Sequence, residues 1–88
     1  MGDKNFDIPV TVETAQTGRF FTVTRVGQAA DFLVHRWPEQ KKGPKHRAAL
    51  QALMDVMQER KAVAAAREAF TAAAKEADIF IREGRQFG

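Results

Sequence analysis

Few side chains in this 88-residue chain could carry proton transfer or metal chemistry. They are His35, His46 and the dispersed carboxylates Asp31, Asp55, Glu59, Glu68, Glu76 and Asp78. General acid–base work needs two such groups within hydrogen-bond reach of one reacting atom, and no spacing among these carboxylates selects a pair. A metal set of His35, His46 and Glu39 would have to form across the Trp37-Pro38 break, with no further spaced ligand to complete it. No metal and no cofactor are therefore expected. Cysteine, serine and tyrosine are absent, which removes disulfides, thiolate sites, Ser and Cys nucleophiles and phenolic acids together. An enzyme built on His46 and a carboxylate lacks an accompanying nucleophile, metal triad or phosphate loop. The expectation is a non-enzymatic binding or interaction domain.

The densest local signal is cationic. Between residues 36 and 47, Arg36, Lys41, Lys42, Lys45 and Arg47 face a single acid, Glu39. The surplus is four positive charges. Because the whole chain carries +3, everything outside this segment is net negative by one, so the basicity belongs to one place. Gly43-Pro44 opens a helix there, since proline suits the first helical position. Lys45, His46 and Arg47 fall in its first turn, where unsatisfied N–H groups already carry partial positive charge. A bound anion would relieve that conflict. The candidate anion- or partner-binding residues are thus Arg36, Lys41, Lys42, Lys45, His46 and Arg47, and the candidate partners are an acidic protein, a phosphate-bearing ligand or nucleic acid. The plainer alternative is a solvated connection in which Arg47 pairs with Glu39 or another carboxylate. Trp37 could stack a base beside these cations, but its place on an apolar helical stripe favours a core role. His46 is expected to cap or hydrogen-bond near the helix start, or to face solvent.

Elements that would position this segment can be read from periodicity. Ile8, Val10 and Val12 alternate with polar neighbours as in a half-buried strand, with Pro9 confining it to an edge or to one-sided pairing near its start. A loop through Gly18 leads to a second strand over 19–24, forming a hairpin. Phe21 and Val23 share one of its faces; Phe20 lies on the other. From about Val26 the period becomes helical, with Val26, Ala29, Ala30, Leu33 and Trp37 on one stripe and Phe32 and Val34 widening it. Thr24 is a plausible N-cap, and Pro38 ends this helix at or before Trp37. The second helix buries Leu50, Leu53, Met54 and Met57 and runs to about Glu59. The two methionines have an alternative use as an adaptable binding surface. After Arg60-Lys61, a third, alanine-rich helix over about 62–77 uses Val63, Ala66, Phe70, Ala73 and Ala77. Ile79-Phe80-Ile81 forms a short third strand. The fold class is α+β, a β-hairpin followed by three helices and a short C-terminal strand, with the helices on one face of a small sheet. One domain spans 8–81, between flexible ends at 1–7 and 82–88, although Phe87 could dock.

Phe21-x-Val23, Ala29-Ala30-x-x-Leu33, Trp37-Pro38, Gly43-Pro44-x-His46-Arg47-Ala48-Ala49 and Ala66-Arg67-Glu68-Ala69-Phe70-x-x-Ala73-Ala74 together resemble a family of short proteins from rhizobia and related bacteria. That family is known only as a domain of unknown function (DUF982). The resemblance implies a small α+β fold over residues 8–81 and supplies no activity. It also places Leu53 where relatives often carry cysteine, so a thiol role there could not extend to this chain. With no signal-peptide core and no membrane-length apolar run, a cytoplasmic protein with no membrane partner is expected. The alternative function is a homo-oligomer, such as a homodimer, with a structural or regulatory role, associating through its alanine-rich helices.

Overall fold

Alternating valines place β1 (Asn5–Glu13) at the centre of an antiparallel sheet. The computed structural model describes residues 4–84, and its strand order is β2-β1-β3, with β2 at Phe20–Arg25 and β3 at Phe80–Glu83. Val10 pairs with Val23 and Val12 with Phe21, so the helix-facing side is apolar as period-two alternation requires. On the other side Thr11 pairs with Thr22, their hydroxyls 2.9 Å apart. Phe20 is exposed on that side.

One expectation about β1 needs correction. It begins at Asn5, so residues 5–7 of the supposed loose end belong to the sheet, and Phe6 is buried against Phe70 with ring centroids 6.1 Å apart. A single aromatic between polar residues carries no periodicity. Pro9 confines pairing near the start of β1 to one side, the second of the two expected outcomes, and β1 is not an edge. The β1–β2 register breaks between Asn5 and Val10, and Pro9, which has no N–H, offers its carbonyl to the Gly84 N–H on the other side at 2.8 Å. Proline is tolerated where the ladder is already interrupted. Arg82 and Glu83 likewise lie in β3. Residues 1–3 and 85–88, including the suggested docking of Phe87, lie outside the described residues.

The chain passes from β2 directly into α1 (Val26–Asp31), which widens into a π-helical turn at Phe32–Arg36. Thr24 is not its N-cap. That position is Arg25, without a side-chain bond, and Gln28 reaches back to accept from the Thr24 N–H at 2.9 Å and from its hydroxyl. Trp37 is extended (φ −70°, ψ 138°), as the following proline demands. Val34 is exposed rather than core, because a turn that widens beyond 3.6 residues shifts the stripe.

A 3-10 turn (Glu39–Lys41) leads to α2 (Pro44–Met57) and then to α3 (Val63–Glu76). Both helices end in the same way. The Arg60 N–H bonds the Asp55 carbonyl and the Ile79 N–H bonds the Ala74 carbonyl, while Glu59 and Asp78 each take φ 61°. These are Schellman closures with non-glycine residues at the left-handed position. The core is shared by the sheet and all three helices. Phe70 lies at its middle, with Phe32 and Trp37 at 6.3 and 6.0 Å.

Candidate functional site

Pro44 starts α2 at its first position, as expected, but the surface around it differs from a simple anion cradle. The Lys45 N–H is already bonded, at 3.1 Å, to the Glu76 carboxylate from the end of α3. Two antiparallel helices thereby bring an acid unfavourable at its own C-terminus to the N-terminus of a neighbour, where it is favourable. Gly43 makes this possible. A Cβ there would lie 2.5 Å from Glu76 Oε1, so any other residue would drive the carboxylate away.

His46 is the second correction. It is 9% exposed and its Nε2–H donates to the Leu33 carbonyl at 2.7 Å, with the Trp37 indole edge-on at 5.3 Å. The reason lies in the preceding helix. Leu33 stands five residues before Pro38, and a proline has no N–H to return to that carbonyl. An imidazole from α2 closes the helix end instead. His46 therefore leaves the list of residues available to a ligand.

The cations that remain are spread apart. Arg36 lies over the Phe21 ring, 5.1 Å from its centroid, beside a depression of about 370 Å³ lined also by Thr14, Gln16, His35 and Glu39. Lys41 and Lys42 border a different depression, of about 420 Å³, with Gly43, Pro44 and Glu76. Lys42 is paired with Glu39 at 3.2 Å, the carboxylate that Arg47 was expected to meet. Lys45 and Arg47 are exposed, and neither side chain forms an ion pair among the described residues. Trp37 is 5% exposed, and its Nε1–H is bonded to the Lys41 carbonyl at 3.1 Å. It is core and presents no stacking face.

The buried face of α2 is also turned from the expected one. Ala49, Ala52, Leu53 and Val56 are inside, whereas Met54 and Met57 are 49% and 50% exposed. Two alanines, Ala49 and Ala52, turned inward with Val56 let α3 approach closely. On α3 the expected Ala66, Phe70, Ala73 and Ala77 are buried. That helix exposes no large apolar side chain.

Arg67 and Glu76 make tertiary contacts that the sequence does not announce. Arg67 reaches from α3 to Asp7 at 2.9 Å and to Glu83, tying the helix to β1 and β3. Burial favours the uncharged form of Asp7, but the Arg67 hydrogen bond and charge outweigh it and hold the carboxyl below its ordinary value. Burial likewise pulls Arg67 down, and Asp7 and Glu83 reverse that. A lone arginine among alanines was the available signal for this clamp. Glu76 had none, because its partner is 31 residues away.

Sheet, helices and surface define a small α+β domain with open depressions and a dispersed basic connection. The chain belongs to the family described as Protein of unknown function (DUF982), whose model matches residues 8–81. No curated protein and no solved structure matches it. No helix among the described residues is long and apolar enough to cross a membrane.

Proposed function

We propose that this chain is a non-enzymatic interaction domain whose basic surface, Arg36, Lys41, Lys45 and Arg47, meets an acidic protein. The observation that carries the reading is that these four side chains are exposed and free of carboxylate partners among the described residues. Lys42 is neutralised locally. A compact phosphate site at the start of α2 is disfavoured, since Glu76 holds the Lys45 amide and would be driven off only at the cost of a helix cap. Base stacking is disfavoured by the burial of Trp37. Spread cations without a convergent pocket suit the broad, solvated potential by which protein surfaces of opposite sign recognise each other.

Retention on an immobilised oligoglutamate support tests this. The Lys41→Glu, Arg47→Glu double variant elutes at clearly lower salt than the parent, because surface cations set both attraction and its screening. Equal elution of the two proteins refutes the reading, and stronger retention on immobilised oligonucleotide than on oligoglutamate replaces it with nucleic-acid binding.

A further inference from the structure

All the sulfur in this chain is thioether: it has three methionines and no cysteine. A thiolate would ordinarily meet an oxidant first, and here none competes. Met54 and Met57 stand three residues apart on α2, neighbours on one side of the helix, and are 49% and 50% exposed. Met1 lies outside the described residues. Trp37, the other side chain open to mild oxidation, is shielded in the core. We propose that Met54 and Met57 form an oxidant-responsive modification site, where a peroxide converts both thioethers to sulfoxides on the folded protein and a thiol-dependent reductase converts them back. The proposal goes beyond the acidic-partner reading and uses none of its cations.

In the forward step a sulfur lone pair attacks one oxygen of hydrogen peroxide, so that an S–O bond forms and the O–O bond breaks. Sulfur gives up two electrons, and the departing hydroxide takes the proton of the transferred oxygen and leaves as water. In the return step two thiols supply two electrons and two protons, become a disulfide and release the oxygen as water. With no cysteine in the chain, those thiols belong to the reductase. Both steps need access to sulfur, which half exposure provides. The fold tolerates the product because α2 is held by another face, on which Ala49, Leu53 and Val56 are fully buried. Its end is closed by backbone bonds, from the Gln58 N–H to the Met54 carbonyl at 3.0 Å and from the Arg60 N–H to the Asp55 carbonyl at 2.7 Å. A sulfoxide is polar where the thioether was apolar. In a core it would disrupt packing; on this flank it meets water and changes only the surface.

Peroxide treatment of the full chain followed by tryptic mapping tests the site. Peptide 48–60 gains one oxygen at Met54 and one at Met57, at rates within about fivefold of those in the urea-unfolded chain, because exposure sets susceptibility. The oxidised protein keeps its near-ultraviolet circular dichroism, and its thermal midpoint falls by no more than a few degrees. It also leaves a hydrophobic-interaction column earlier than the parent. Methionine sulfoxide reductases with dithiothreitol restore the original mass and elution without denaturant. The Met54→Leu, Met57→Leu variant takes up no oxygen in that peptide and elutes unchanged after peroxide. A larger gap between folded and unfolded rates overturns the proposal, since oxidation would then run through opening of the fold. So does loss of the near-ultraviolet signal on oxidation, repair that requires urea, or an elution shift in the leucine variant. Oxidation alters no charge, so retention on oligoglutamate stands or falls separately.

Discussion

His46 shows how one side chain can belong to two helices. Its ring closes the end of the first helix while its backbone forms the first turn of α2. Replacing it with alanine orphans the buried Leu33 carbonyl and leaves a void beside Trp37, which costs about 2 kcal/mol in urea unfolding. His46→Gln, which keeps a donor, costs less. Glu76 acts in a comparable way at the start of α2. Glu76→Ala removes the bond to the Lys45 amide and costs about 1 kcal/mol. Gly43→Ala displaces the same carboxylate, so the double variant is scarcely less stable than either single one, a non-additivity that a double-mutant cycle reads directly. For Asp7 the sign of the pH effect follows from its depressed pKa. The folded state holds that proton less tightly than the unfolded chain, so the contribution is complete above the ordinary carboxylate range and is lost as pH falls below about 4. Asp7→Asn flattens that part of the acid limb, modestly, because the side chain is partly solvated.

At the level of elements, the two Schellman closures carry a built-in cost. Glu59 and Asp78 hold φ 61°, a region where a side chain crowds the backbone and glycine does not. Glu59→Gly and Asp78→Gly each stabilise the fold by roughly 0.5–1 kcal/mol, seen as a rise of a few degrees in thermal midpoint. The elements themselves were legible: strand alternation at Val10 and Val12, the helix stop before Pro38, the start at Pro44 and the stripe of Ala66, Phe70 and Ala73 all follow from local rules. Side-chain facing was less so. By hydrophobicity alone Leu53, Met54 and Met57 form one apolar stripe, and the close approach of α2 and α3 over alanine turns Met54 and Met57 outward. At the candidate site, the segment and its exposed cations could be read from charge. The capping of its helix start by Glu76 and the burial of His46 could not, because both depend on contacts between distant residues.

For the molecule as a whole, three helices on one face of a three-stranded sheet leave α2 and its preceding connection on the outside, and that is where charge and accessible apolar surface coincide. The proposed function rests on what that surface attracts. The most direct measurement is a titration of isotopically labelled protein with an oligoglutamate peptide, followed amide by amide at low and high salt. The account predicts shifts centred on residues 36, 41, 45 and 47 that fade as salt is added. Shifts confined to the sheet or to α3, or no shifts at low salt, would contradict it.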